Sequence, residues 1–159
     1  IGYSLSWTWR QFPDLNEGQK YPAKYDRRHD LSVVANYDLS KKWKFGGVFV
    51  FATGNAATYP ERFYFIDGVL TQEFSRINAY RTPSYHRADA SFTYTPKPES
   101  TKKYKSSWVF GVYNIYSRLN PYFIFFAQEG SPTQGTQQIE AVQVSIFPII
   151  PSVTWNFKF

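Results

Sequence analysis

The densest cluster of ionisable side chains in the sequence is a run of five consecutive residues: Asp26, Arg27, Arg28, His29 and Asp30. A histidine beside carboxylates can ligate a metal ion or transfer protons, but either role needs further ligands or partners. His86, the other histidine, precedes a different predicted strand. The sequence therefore favours a network of salt bridges and hydrogen bonds that pins a long loop where it enters a strand.

The composition excludes several kinds of chemistry. The chain has no cysteine, which removes disulfides, thiolate metal sites and cysteine nucleophiles. No Ser/His/Asp triad, phosphate loop or carboxylate pair stands out, so we expect no enzymatic activity, no metal and no cofactor. The net charge of +6 permits nucleic-acid binding. The lysines and arginines are scattered or sit in turns, however, so we expect no nucleic-acid partner.

Two groups of residues are candidates for contact with a ligand. Arg87 and Asp89 lie on the polar side of a predicted strand, where they either touch a solute or pair with neighbouring protein segments. Residues 55–84 form a predicted loop of 30 residues, and loops of this length often carry recognition. Its Tyr59, Arg62 and Tyr64 are candidates for contact with a ligand or a surface lipoprotein, although its rings would equally form a small satellite core.

The dominant period along the chain is two, which is typical of β-strands with one bulky and one small, polar side. Six strands are predicted on this basis: 1–12, 31–39, 43–52, 88–94, a fifth from 107 onward, and a last one that ends at 159. The fifth carries apolar residues on both sides, so its faces stay unassigned. Pro148 and Pro151 argue against a transmembrane helix in the long uncharged stretch 141–157.

The last predicted strand contains a change of phase. Its apolar residues have even numbers from Val142 to Ile146 and odd numbers from Val153 onward. A strand changes faces only where an extra residue is absorbed, so we expect a β-bulge at residues 148–151, where two prolines stand. The alternative is that the upstream half lies clear of any core, where phase has little meaning.

The character of the two sides favours a membrane barrel over a soluble sandwich. Bulky residues on one side and small polar residues on the other are expected for lipid outside and water inside. Aromatic residues flank the short predicted turns 38–42 and 96–105, as at a membrane interface. Long connections alternate with these turns, and about ten tilted residues suffice to cross the hydrocarbon layer. We therefore predict an all-β fold, an antiparallel transmembrane β-barrel.

Six strands cannot close such a barrel. The smallest usual barrels have about eight strands, and an open edge in lipid leaves backbone groups unsatisfied. Residues 1–159 are therefore expected to be the carboxy-terminal portion of a larger barrel. The absence of methionine and the opening of the chain inside an apolar pattern agree with that expectation.

Four segments narrow the prediction further: YDRRHD at 25–30, PSYHRAD at 83–89, YNIYSRLNPYF at 113–123 and PIIPSVTWNFKF at 148–159. In this order and at these spacings they resemble TonB-dependent outer-membrane receptors, particularly those of Bacteroidetes-type bacteria. The resemblance implies a barrel of the 22-stranded type with an amino-terminal plug, of which this chain supplies the last six strands. It also implies import of a scarce solute, of the siderophore, glycan, peptide or vitamin class, driven by the TonB motor.

The same resemblance implies a location and partners. The location is the outer membrane of a Gram-negative bacterium, and the partners are membrane lipid, the rest of the barrel with its plug, TonB through a segment upstream of Ile1, and a surface lipoprotein. The barrel-assembly machinery would read Trp155, Phe157 and Phe159 as the insertion signal. Two alternatives stay open: a passive porin or adhesin barrel, and a soluble aromatic-rich β-sandwich that binds glycans.

Overall fold

The computed structural model describes residues 1–67, 69–74, 76–99, 103–130 and 138–159. The fold is all-β, as predicted, and within these ranges there is no α-helix, while a 3-10 turn covers Asn16–Gly18. The strands are β1 (Gly2–Leu5), β2 (Trp9–Arg10), β3 (Tyr21–Pro22), β4 (His29–Asp38), β5 (Trp43–Ala52), β6 (Ala56–Ala57), β7 (Arg62–Ile66), β8 (Val69–Glu73), β9 (Tyr80–Arg81), β10 (Tyr85–Tyr94), β11 (Lys105–Tyr113), β12 (Phe123–Glu129), β13 (Gln138–Val144) and β14 (Ile150–Lys158).

Six of these strands form one large antiparallel sheet in the order β1-β4-β5-β10-β11-β14. They correspond to the six strands predicted from the alternation of side chains, so the expectation of a large antiparallel sheet is confirmed. The other strands pair as β2 with β3, β6 with β9, β7 with β8 and β12 with β13. Among the described residues, β1 and β14 each have one neighbour in the large sheet, which does not close on itself.

On one side of the sheet, aromatic rings form a row across four strands that we call the ring band: Trp43, Tyr94, Trp108 and Trp155. The ring centroids of Trp43 and Tyr94 are 4.7 Å apart, and Trp108 stacks on Trp155 at 5.8 Å. Tyr94 lies directly opposite Trp108 in the register of β10 and β11. A second apolar row follows on the same side, through Phe45, Phe92, Phe110 and Val153.

The opposite side of the sheet carries small residues in a glycine–serine row: Gly46, Ser91, Gly111 and Ser152. A Cβ atom on Gly46 would lie 2.8 Å from Ser91 Oγ, and one on Gly111 would lie 2.7 Å from Ser152 Oγ. Gly111 is directly opposite Ser91 on one flank and Ser152 on the other. The register therefore assigns the faces of β11, which the sequence pattern leaves open.

The first strand of the sheet is shorter than predicted, because β1 ends at Leu5 and does not reach Phe12. Beyond Leu5 the amide of Ser6 donates to the carbonyl of Arg28 at 3.1 Å, but the amide of Thr8 donates to the Asp26 carboxylate at 2.5 Å. The Asp26 side chain thus accepts the bond that a backbone carbonyl of the neighbouring strand would otherwise accept, and the pairing of β1 with β4 ends there. Trp9–Arg10 then pairs with β3 instead.

The predicted β-bulge at residues 148–151 is wrong. β13 pairs with β12, whereas β14 pairs with β11, so Val142 and Val153 belong to different ladders. The change of phase marks the passage between two separate strands, with residues 145–149 as their connection. The upstream half is thus outside the large sheet, as the alternative interpretation held.

The chain divides into two compact units. One comprises Ile1–Gly2, Leu31–Phe51 and Tyr85–Phe159, and the other, which we call the loop unit, comprises Tyr3–Asp30 and Ala52–Ser84. The predicted 30-residue loop is therefore built largely of short ladders, β6 with β9 and β7 with β8. Two positions of this predicted loop, 68 and 75, lie outside the described residues. The same holds for residues 100–102 of the predicted turn 96–105. The apolar side chains buried in the loop unit are Tyr21, Ala23, Ala52 and Ala56.

Gly54→Ala is expected to lower the free energy of local opening of the loop unit by about 1–3 kcal/mol, the usual cost of placing an extra methyl group in filled space. Its added Cβ would lie 1.6 Å from the backbone oxygen of Thr82, which has to move. Hydrogen exchange of the Thr82 amide, which donates to Asn55 O at 3.0 Å, measures the loss. Gly2→Ala is the control, since its methyl would meet only the rotatable Ser32 hydroxyl at 3.0 Å. Equal exchange in both variants would contradict the prediction.

Candidate functional site

The loop unit is held together around one buried carboxylate, that of Asp26, whose side chain is 1% exposed. Arg81 donates to both the carboxylate and the backbone oxygen of Asp26. Arg28 Nε lies 3.2 Å from the same carboxylate, and the Thr8 amide donates to its other oxygen. Two guanidinium groups and one backbone amide therefore converge on Asp26 from three separate segments.

The other residues of the predicted network also make contacts within the loop unit. Arg27 Nε donates to Asn55 Oδ1 at 2.8 Å. Another nitrogen of the same side chain, Nη1, lies 3.9 Å from the Asp30 carboxylate. The His29 ring shares a hydrogen bond of 2.7 Å with the Tyr3 hydroxyl, while the His29 amide donates to Thr53 Oγ1 at 3.1 Å. The structure thus ties four residues of the run, Asp26 to His29, to distant segments of the loop unit, whereas the Asp30 carboxylate contacts only Arg27 among the described ion pairs.

Sequence reasoning missed Arg81, the main partner of Asp26. The two residues are 55 positions apart, and no local pattern connects them. Trp7 and Trp9 are residues i and i+2 of an extended segment, so their indole rings lie on the same side of it. Two neighbouring rings of this kind are a site for a cation, and Arg28 is that cation. The Arg28 guanidinium carbon lies 5.5 Å from the centroid of each ring, within cation–π distance.

The electrostatics of this network set the charge of Asp26. Burial alone would raise the pKa of Asp26, but hydrogen bonds from Arg81 and Thr8 and the charges of Arg81 and Arg28 outweigh it and lower the pKa below 3.8. A lowered pKa means that the ionised carboxylate stabilises the fold at every pH above the ordinary value. That contribution disappears as the pH falls through the lowered pKa.

We therefore expect the loop unit to keep its protection against amide exchange from pH 7 down to about 4 and to lose it in more acidic solution. The Thr8 amide is the probe, with each exchange rate corrected for its intrinsic pH dependence. The Ser40 amide, which bonds to Trp43 O at 3.1 Å with no ionisable partner, is the control. Loss of Thr8 protection already between pH 7 and 5 would show a raised pKa and refute the assignment.

Arg87 and Asp89 form a second polar cluster, on the same side of the sheet as the glycine–serine row. Arg87 Nε lies 2.9 and 3.0 Å from the two carboxylate oxygens of Asp89. Arg87 Nη1 donates to the hydroxyls of Tyr85 and Tyr113, and its guanidinium carbon lies 4.0 Å from the Tyr113 ring centroid. Arg87 and Asp89 therefore pair with each other and with the neighbouring strand, and their contact with a solute stays a prediction.

The Asp89 carboxylate also anchors the turn that follows β11. It accepts the amide of Asn114, a residue with positive φ (54°) and a side chain that is fully buried. The Asn114 side-chain amide donates to the carbonyls of Arg118 and Phe147 at 2.9 and 3.0 Å. Sequence reasoning missed Asn114, although asparagine is among the residues that most readily adopt positive φ.

The three loop residues predicted for recognition lie in the second half of the loop unit. Arg62 and Tyr64 stand on one side of β7, opposite Glu73 and Thr71 of β8, and both are exposed. Tyr59 instead packs its ring 5.8 Å from that of Tyr80, and burial raises its pKa. Arg62 and Tyr64 are thus accessible to a ligand, whereas Tyr59 is part of the packing of the unit.

The histidines are engaged with tyrosines. The His86 ring shares a hydrogen bond of 2.8 Å with the Tyr116 hydroxyl, as His29 does with Tyr3. Asn120 accepts the His86 amide at 3.0 Å and donates to its carbonyl at 2.9 Å. In the part of the chain that the structure describes, no three His, Asp or Glu side chains are grouped so as to hold a metal ion.

The terminal strand presents the predicted insertion signal as a continuous ladder of rings. The ring centroids of Trp155 and Phe157 are 5.0 Å apart, and those of Phe157 and Phe159 are 5.4 Å apart. All three side chains are exposed, on the side that carries the ring band. Their contact with an assembly factor stays a prediction.

Among the described residues, no helix has the length and apolar character needed to cross a bilayer. Comparison with protein-family models, with curated proteins and with solved structures gave no match to this chain.

Proposed function

We propose that this chain is the carboxy-terminal part of a transmembrane β-barrel transporter in the outer membrane of a Gram-negative bacterium. The observation that carries the proposal is the uncovered ring-bearing side of the large sheet, where Tyr37, Val153 and Trp155 are 66, 64 and 50% exposed. Burying a side chain of this size stabilises by about 1.5–3 kcal/mol, and continuous apolar patches mark protein or membrane contacts. Acyl chains would supply the missing apolar cover.

The position of the ring band supports the same interpretation. Trp43 directly follows the turn between β4 and β5, and Tyr94 directly precedes the turn between β10 and β11. Indole and phenol rings favour the membrane interface, because one part of the ring system is apolar and the other forms hydrogen bonds. Small polar residues on the opposite side suit a watery interior or a plug.

The free edges of the sheet support a larger barrel. The outer edges of β1 and β14 present unpaired backbone groups among the described residues. Such groups cost several kcal/mol each in lipid, so the proposal requires further strands on both edges. The TonB-driven import of a scarce solute, the barrel of the 22-stranded type and the plug rest on the resemblance of the four segments in their order and spacing.

Single-channel recording separates this proposal from its alternatives. The full-length polypeptide is purified and added to a planar lipid bilayer. We expect insertion without steady conductance, because a plug closes the lumen. Steady conductance would favour a passive porin over a plugged transporter. Recovery of the polypeptide in the aqueous fraction without detergent would favour the soluble glycan-binding sandwich.

A further inference from the structure

In the sequence, the net charge of the chain comes from residues in and beside the two short turns and at the end of the last strand. The ends of the strands at the two short turns and the turns themselves carry eight lysines and two acids, which equals the whole net charge of +6. The ten other cations and ten other acids cancel, and all eight arginines are among them. The charged residues in or next to the turns are Lys41, Lys42, Lys44, Lys97, Lys102, Lys103, Lys105, Asp38 and Glu99, and Lys158 at the end of β14 pairs with Lys105.

The structure brings the two turns into contact. Lys41 Nζ lies 2.7 Å from Glu99 Oε1, and the Thr95 amide donates to the Lys42 carbonyl at 2.8 Å. Between the turns lies a cavity of about 450 Å³, here called the lysine cleft. Its lining consists of Lys41, Lys42, Pro96, Lys97, Pro98 and Glu99.

Among the lysines of this group that the structure describes, two have a carboxylate within salt-bridge distance. Lys41 pairs with Glu99 and Lys44 with Asp38, but both pairs are more than 60% exposed and contribute little. Within the described ranges, no carboxylate lies within salt-bridge distance of Lys42 or Lys97. The lysine cleft therefore has an excess of positive charge and space for an anion.

The ring band lies directly beside this cleft. Trp43 follows Lys42 in the chain and Tyr94 precedes Thr95, and their rings are in contact. Rings beside ammonium groups fit the boundary of a bilayer, where acyl chains cover the rings and lysines extend toward phosphates. An acidic protein segment would satisfy the charges but would leave the neighbouring rings uncovered.

We propose that the lysine cleft binds the phosphate headgroup of an anionic phospholipid, with the acyl chains of that lipid against the ring band. Lys42 and Lys97 supply the charge, and Trp43 and Tyr94 supply the apolar contact. The inference rests on the proposed insertion into a membrane and names one lipid class that the inserted sheet prefers.

Tryptophan quenching by brominated lipids tests the inference. The full polypeptide is reconstituted in phosphatidylcholine bilayers that contain brominated phosphatidylglycerol or, separately, brominated phosphatidylcholine. One lysine near an anionic surface changes binding by roughly fivefold, so the two lysines predict a preference for phosphatidylglycerol of about 25-fold at low salt. Lys42→Gln with Lys97→Gln should bring the preference within about twofold of unity. The control pair Lys20→Gln with Lys24→Gln, two exposed lysines of the loop unit, should leave it unchanged.

The outcomes are distinguishable. Equal quenching by both lipids, or an unchanged preference in the Lys42/Lys97 variant, would overturn the inference while membrane insertion stands, and an acidic protein segment would then be the better partner. No quenching by either lipid would overturn the proposed insertion itself, and the inference with it.

Discussion

Replacing Val153 by arginine is expected to lower the free energy of unfolding in a bilayer by about 2–4 kcal/mol, the usual cost of a cation on the lipid side near the midplane of a barrel. Val153 lies near the middle of β14, directly opposite Phe110 and on the side of the ring band. If this side faces lipid as proposed, a guanidinium group there would have neither a polar partner nor water to solvate it.

The matched control is Thr154→Arg, one residue further along the strand. Thr154 lies opposite Val109, on the side of the glycine–serine row, so its arginine would extend into water or toward a plug. We expect a change of about 1 kcal/mol or less, as for an exposed surface substitution. Denaturant titration of the full polypeptide in lipid vesicles measures both variants. A larger loss for Thr154→Arg would place lipid on the wrong side of the sheet.

A spin label distinguishes lipid from a sealed protein core around Val153. Residues 1–159 contain no cysteine, so Val153→Cys and Thr154→Cys each add one labelling position to this part of the polypeptide. Lipid at Val153 predicts high access to molecular oxygen and low access to a water-soluble nickel chelate, with the reverse order at Thr154. Low access to both reagents at Val153 would instead indicate a protein core and refute the barrel.

Replacing Asp26 by alanine is expected to lower the free energy of local opening of the loop unit by about 3 kcal/mol, the lower end of the range for breaking a buried ion pair. The lower end applies because the side chains of Arg81 and Arg28 stay about one-third exposed and regain water. Amide exchange of Thr82 measures the change, because its bond to Asn55 O lies in the loop unit and is not itself removed by the substitution.

Asp30→Ala is the control for this prediction. Its carboxylate is 56% exposed and 3.9 Å from Arg27, so its removal should change the opening free energy by less than about 1 kcal/mol. A double-mutant cycle of Asp26→Ala with Arg81→Met isolates the coupling between those two side chains. Additive effects of the two substitutions would show that Arg81 does not act through Asp26.

The large sheet was predictable because its strands are long and alternate without interruption. β4, β5 and β10 each have ten residues, and bulky side chains recur at every second position of most of their length. A one-residue slip would exchange the two sides of such a strand, so the pattern specifies the faces strongly.

Other parts were not predictable, because distant residues decide them. The hairpin of β12 and β13 carries Phe123 and Phe125 on one side and Ile124 and Phe126 on the other, so no alternation marks its faces. The end of β1 depends on the Asp26 carboxylate, and the position of that carboxylate depends on Arg81. Contacts between residues so far apart in the chain cannot be read from a short stretch of sequence.

The glycine–serine row has a mechanical consequence. Across four adjacent strands, one surface carries hydrogen atoms and hydroxymethyl groups, while the other carries indole, phenol and phenyl groups. A difference in volume of this kind would favour a sheet that curls with its rings on the convex surface. Enlarging Gly46 or Gly111 would then flatten the sheet and hinder closure of the proposed barrel, even where every strand still pairs.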